Sequence, residues 1–195
     1  MHLSVNLISV FSETAFNSAS HFMGYNPLVQ FLMQPILMFA VIFHFVMGFV
    51  LEIKNNRARP IKYAMNNGSA NSTWFSRNMI ISGAVVLAFL AVHFYDFWVH
   101  EMTYKYVEGN VDATETTRFW EELHAKFADV WRVALYVISF VLLGLHLAHG
   151  FQSSFQSVGA RHPKYTPVLK AFGTWYSILI PAGFIFIAVY HFLTQ

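Results

Sequence analysis

The chain has no cysteine and little charge, and each absence excludes a class of protein. Without cysteine it has no disulfide, no thiolate metal site and no Cys-x-x-Cys-His attachment of c-type haem. Only 11% of the 195 residues are charged, whereas a soluble domain carries roughly 25%. The net charge of +2 is too small to indicate nucleic-acid binding. Because 56% of the residues are hydrophobic and the mean hydropathy is +0.45, the sequence indicates a membrane protein.

Four stretches are apolar over the length that a membrane span needs, about 20 residues. They predict an all-α, polytopic membrane helix bundle that forms a single domain over residues 1–195. We number the predicted spans helix II (28–52), helix III (79–99), helix IV (131–152) and helix V (172–194). Residues 1–11 lack the features of a signal peptide and are interpreted as the second half of a helix I. A leader outside the membrane is the alternative interpretation.

Charge in the connecting segments predicts the orientation of the spans, because basic segments stay in the cytoplasm. Residues 52–78 carry five basic residues and one acid, and residues 161–170 carry three basic residues and no acid. Both segments are therefore expected to be cytoplasmic. Residues 100–130 carry seven acids and three basic residues, and are expected outside, with a short surface helix over Thr116–Lys126.

Histidines lie deep in four of the apolar segments, where an ionisable group is costly and indicates function. His44 and His146 lie eight and six residues before the cytoplasmic ends of their spans, roughly 12 and 9 Å at 1.5 Å per residue. His93 and His2 lie roughly 9 and 13 Å from the outer ends of theirs. Equal depth predicts an inner pair, His44 with His146, and an outer pair, His2 with His93. Each pair could hold one haem between two helices, although a single membrane histidine is more often a packing residue.

Two further features concern the inner pair. His149 is the alternative to His146, although its position nearer the membrane surface suits contact with a haem propionate or water. Gly48 and Gly150 follow His44 and His146 by four residues and so share their helix faces. There they would let a flat macrocycle approach the backbone, and close helix packing is the alternative. Two axial imidazoles leave no open iron site, which favours electron transfer.

The other histidines are expected to have no part in these pairs. We expect His191 to lie too near the outer end of its span to pair with His93, and to have no partner. We place His21 in the outer loop and expect solvated loop positions for His100, His124 and His162.

Several stretches of this sequence carry a resemblance to one family. They are HLSVNL at the start, SHFMGYNPLVQ, IFHFVMGFVLEIKNNRARPIKYAMNNG, STWFSRNM, AVHFYDFWV, and LGLHLAHGFQSSFQSVG with HPKYTP. Over nearly its whole length the chain resembles the five-helix, two-haem cytochrome b anchor of succinate:menaquinone oxidoreductases and quinol:fumarate reductases. The family has one haem ligand on each of its first four helices, and the matching positions are His2, His44, His93 and His146. It also has a complete first helix before the position of His2, so we expect helix I to be shortened here.

The resemblance implies a set of cofactors and partners. The chain would hold two b haems in a bacterial cytoplasmic membrane and pass electrons to menaquinone near the outer haem. On the cytoplasmic side it would bind an iron–sulfur subunit and a flavoprotein with covalent FAD. The basic loops would meet the iron–sulfur subunit, although positive-inside anchoring alone also explains their charge.

Further site residues are expected around the haems and the quinone. Basic side chains suit haem propionates, and the candidates are Arg57, Arg59, Arg77 and Lys164. Quinone reduction consumes protons and needs an ionisable group near the outer haem, for which the candidates are Glu13, His21 and Asp96. For Asp96, an acid at the membrane interface is the alternative interpretation.

Two other functions are consistent with parts of this pattern. One is the haem b anchor of another membrane oxidoreductase, such as a hydrogenase or formate dehydrogenase. The other is a haem-free transporter, which would be expected to show internal repeats. We find no such repeat.

Overall fold

The computed structural model describes residues 1–58, 78–110, 117–160 and 162–195, and within these ranges the chain is helical with no strand. The helices are α1 (His2–Phe11), α2 (Glu13–Tyr25), α3 (Val29–Arg57), α4 (Met79–Val107), α5 (Arg118–Lys126), α6 (Val130–Ser157) and α7 (Thr166–Leu193). Wide π-helical turns begin α3 over Val29–Met33 and interrupt α4 over Phe94–Val99 and Thr103–Val107. The prediction of an all-α bundle is confirmed.

Four of these helices, α3, α4, α6 and α7, are long and apolar enough to cross a membrane. Each has 28 or 29 residues, or about 42 Å at 1.5 Å per residue, which exceeds a hydrocarbon core of about 30 Å. They correspond to predicted helices II to V but extend beyond them. The largest extension is in α4, which continues past Val99 to Val107. The apolar pattern on which the prediction depends ends at Val99. The helix continues beyond it with charged residues, of which Glu101 and Lys105, one turn apart, form an ion pair.

Residues 2–11 form a helix that packs against α7. A Cβ atom at Gly183 of α7 would lie 2.9 Å from Leu3 Cδ1, so α1 approaches the α7 backbone closely. Ser9 Oγ lies 2.8 Å from His191 Nε2, further along both helices. From the first contact to the second, the residue numbers increase along both helices, so α1 runs parallel to the second half of α7. This placement favours helix I over a leader outside the membrane.

The bundle has two ends of different charge. At the end that we call the acidic end, α4 finishes, α6 begins, and the two short helices α2 and α5 pack together. Trp120 N of α5 donates to Asn17 Oδ1 of α2 at 2.7 Å. Lys105, 3% exposed, donates to the Gly24 carbonyl and pairs with Glu101 at 2.9 Å. The loop position predicted for His21 is therefore wrong, because it lies on α2, which Ser12 caps by accepting from Ala15 N at 3.2 Å.

Arg118 joins the elements of the acidic end. Its guanidinium pairs with Glu101 of α4 and with Glu122 one turn along α5, and it stacks on Tyr104 at 3.9 Å. Burial lowers the pKa of Arg118, but hydrogen bonds to the two carboxylates outweigh burial and raise the pKa overall. The cation therefore persists at any physiological pH. The predicted surface helix over Thr116–Lys126 corresponds to α5, which begins at Arg118.

Candidate functional site

The structure brings four of the predicted histidines together in two pairs. His44 of α3 faces His146 of α6, with ring centroids 6.2 Å apart and planes at 88°. His2 of α1 faces His93 of α4, with centroids 5.9 Å apart and planes at 75°. These are the inner and outer pairs that histidine depth predicts.

The spacing within each pair fits one metal ion between two imidazoles. Metal–imidazole nitrogen bonds are about 2.0–2.1 Å and a ring nitrogen lies about 1.1 Å from the ring centre, so opposed imidazoles on one metal have centres about 6.3 Å apart. The observed 6.2 and 5.9 Å are compatible with this value, but rings in ordinary packing contact are spaced alike, as His93 and Tyr136 are at 6.2 Å. The pair His124 and His191 provides a contrast, because its Nδ1 atoms are 3.1 Å apart in a direct hydrogen bond and its centroids are only 5.4 Å apart.

The two pairs lie at different depths in the bundle. A Cβ atom at Gly83 of α4 would lie 3.5 Å from His146 Cε1, so the inner pair is level with residue 83. His93 lies ten residues further along α4, about 15 Å at 1.5 Å per residue. The sequence analysis did not select Gly83. Its place between Ser82 and Ala84, which makes three small residues in a row, is nevertheless a signal that a neighbouring helix approaches closely.

Hydrogen bonds engage one ring nitrogen in each pair. Ser82 Oγ lies 3.2 Å from His146 Nδ1, and Asn6 Nδ2 lies 3.4 Å from His2 Nδ1. Ser82 can accept from Nδ1 of His146, which leaves Nε2 of that ring to bind iron. In His2, Nδ1 accepts from the amide, so Nε2 carries the proton of the neutral ring, and iron ligation there requires Asn6 to turn its amide oxygen toward Nδ1. The buried Nδ1 of His93 has no hydrogen-bond partner among the described residues. A ring nitrogen without a partner in an apolar bundle is unusual for a purely structural histidine.

The two predicted glycines differ in their surroundings. A Cβ atom at Gly48 would meet nothing within 4 Å, so there is open space beside α3 one turn beyond His44. A Cβ atom at Gly150 would lie 3.3 Å from Met79 Cε. Gly150 therefore lies in close packing between helices, whereas Gly48 is exposed on α3 and its part in a cradle for a flat macrocycle stays a prediction.

The alternative ligand and the propionate candidates lie apart from the inner pair. His146, and not His149, forms the ring contact with His44 in the described structure. Arg57 is exposed at the end of α3, 13 residues or about 20 Å beyond His44. Lys164 is exposed in the turn between α6 and α7. Arg59 and Arg77 lie outside the described residues, so their propionate role stays a prediction.

Asp96 is fully buried, at 1% exposure, and both of its oxygens have partners. Oδ1 forms an ion pair with Arg132 of α6, and Oδ2 accepts from Tyr136 OH at 2.9 Å. Asp96 is therefore a paired carboxylate with α6 supplying its cation, and both its role at a quinone site and its position at the membrane interface stay predictions. The ring of Tyr136 also contacts His93, with centroids 6.2 Å apart. Arg132, the one charged residue in the predicted span 131–152, was the sequence signal for a buried partner.

The other two quinone candidates lie on α2. Glu13 is exposed in its first turn. His21 is half-buried and stacks on Tyr25, with centroids 4.5 Å apart. The quinone role of both residues stays a prediction.

His191 differs from its prediction, because it has partners. It is completely buried, with Nε2 2.8 Å from Ser9 Oγ and Nδ1 3.1 Å from His124 Nδ1. His124 lies on α5, stacked on Trp120, and His100 lies in the extension of α4. The predicted loop positions of both are wrong, because helices continue into the acidic end. His162 is exposed in a turn, as expected.

Within the described ranges, no group of three or more His, Cys, Asp or Glu side chains could hold a metal ion. A haem needs only two axial ligands from the protein, because its macrocycle supplies the others. Comparison of the chain with protein families, with curated proteins and with solved structures gave no match.

Proposed function

We propose that this chain is a cytochrome b membrane anchor, in which each histidine pair ligates one haem b. The observation that carries the proposal is that four different helices bring these histidines together in two pairs, at two depths of an apolar bundle. His44 and His146 hold the inner haem, and His2 and His93 hold the outer haem. Bis-histidine haem b supplies one-electron transfer, with no open iron site for oxygen chemistry.

The rest of the proposal concerns the partners and depends on the family resemblance. The chain connects an iron–sulfur subunit and a flavoprotein, on the cytoplasmic face of a bacterial membrane, to menaquinone near the outer pair. The complex would act as a succinate dehydrogenase or fumarate reductase. The excess of basic residues in the connecting segments 52–78 and 161–170 supports that orientation.

Haem content and optical spectra of the full-length chain, purified from membranes, test the ligand assignment. Wild type is expected to hold two b haems, seen in reduced-minus-oxidised spectra. His44→Ala and His146→Ala are each expected to lose one haem, and the double variant to lose the same one. His93→Ala is expected to lose the other.

His149→Ala is the matched control, because His149 lies three residues from His146 on the same helix. It is expected to keep both haems. Absence of haem from the wild type would refute the proposal. Loss in His149→Ala with retention in His146→Ala would reverse the choice of ligand. Reduction of the haems by succinate in the intact complex, and not in the isolated chain, tests the partners separately.

A further inference from the structure

Ser82 of α4 contacts a proposed ligand histidine on another helix, His146 of α6. Its Oγ lies 3.2 Å from His146 Nδ1 on α6 and donates to the Met79 carbonyl at 2.9 Å. A hydroxyl has one proton to donate and two lone pairs to accept with. When the proton goes to the carbonyl, the hydroxyl accepts from the imidazole, and His146 then carries its proton on Nδ1.

That tautomer leaves the lone pair of His146 on Nε2, where a metal can bind it. The adjacent residue, Gly83, lies close to the same edge of the ring, because a Cβ atom there would be 3.5 Å from His146 Cε1. The Nδ1–Cε1 edge of the imidazole therefore faces α4 at two consecutive residues, Ser82 and Gly83. The outer pair has no hydrogen bond of this kind between helices. Asn6, which lies 3.4 Å from His2 Nδ1, is on the same helix as His2, and His93 Nδ1 has no partner in the described chain.

We propose that Ser82 is a positioning residue that fixes the tautomer and orientation of His146 and so lowers the reduction potential of the inner haem. The inference rests on the proposed function. A ligand imidazole that donates its second N–H is more basic, and a more basic ligand favours the oxidised iron. Removing the acceptor therefore raises the potential of one haem and leaves the other unchanged.

The test compares Ser82→Ala, Ser82→Thr and a matched control, Ser139→Ala, in the full-length chain. Ser139 is also buried on a membrane helix, but its hydroxyl donates only to the Leu135 carbonyl of its own helix. Redox titration and low-temperature electron paramagnetic resonance report the two haems individually. Ser82→Ala is expected to raise one midpoint potential and shift one low-spin signal, while Ser82→Thr and Ser139→Ala match the wild type.

The outcomes separate this inference from the proposed function. Haem in the wild type tests the function, and the Ser82 series tests the positioning role. If Ser82→Ala loses the inner haem instead of shifting its potential, retention in Ser82→Thr still supports the role. Equal loss in Ser82→Thr, or an unchanged potential and signal in Ser82→Ala, would overturn it.

Discussion

Replacing Arg132 with methionine is expected to destabilise the bundle, because it leaves a buried carboxylate without its cation. Asp96 is 1% exposed, and its nearest other cation is Lys126 Nζ at 4.0 Å. Breaking a buried ion pair from one side costs about 3–5 kcal/mol. The Arg132 side chain is 31% exposed and Tyr136 still donates to Asp96, so we expect the lower limit, about 3 kcal/mol.

Replacing the other partner of this ion pair, Asp96, is expected to lower the stability less. Asp96→Asn leaves Arg132 unpaired, but this side chain reaches the surface and can be hydrated. The loss is expected to be about 1–2 kcal/mol, the range for a buried hydrogen-bonding group that loses its partner. The double variant is expected to be more stable than Arg132→Met alone, since it removes the unpaired carboxylate.

Thermal and denaturant-induced unfolding of the purified chain in detergent measures these differences. Lys170→Met is the matched control, because Lys170 is exposed and its side chain makes no ion pair among the described residues. Its effect is expected to stay within about 0.5 kcal/mol. A double variant no more stable than Arg132→Met, or Arg132→Met as stable as the control, would refute the reasoning.

Three further substitutions test particular contacts. Gly48→Phe is expected to keep the unfolding free energy, because a Cβ atom there meets nothing within 4 Å. It is expected to lose the inner haem, because the phenyl ring would occupy the space proposed for the macrocycle, and unchanged haem content would contradict the cradle. Gly183→Val is expected to displace α1, whose Leu3 lies 2.9 Å from the new Cβ, and to lose only the outer haem. His191→Phe is expected to lower the unfolding free energy by about 1–3 kcal/mol in thermal unfolding, because Ser9 loses a buried partner.

The depth of a residue could be predicted from the sequence, because it depends on local quantities. Hydropathy marks where a span begins and ends, and the helix rise converts residue numbers into distance along the membrane normal. His44 and His146 therefore fall at one depth and His2 and His93 at another before any contact is known. The boundaries were less accurate, since α4 continues beyond its apolar part as a charged helix whose Lys105 is buried against α2.

The direction in which a side chain points depends on packing between helices that are distant in sequence. The sequence left His146 and His149 as alternatives, and only the position of α3 places His44 against the ring of His146. It also left open whether Gly48 and Gly150 were cradles or packing sites, and only the position of α4 shows that Met79 packs against Gly150. The partners of Asp96 and His191 come from residues 36 and 182 positions away, Arg132 and Ser9.

The sequence by itself thus determined an all-α membrane bundle with histidines at two depths, because the bilayer imposes its thickness on every apolar span. The tertiary structure alone decided which rings face each other, that Ser82 contacts one of them, and which buried charge is paired. The physical reason is that helix rise is a property of each residue, whereas rotation about the helix axis has meaning only against a neighbouring helix.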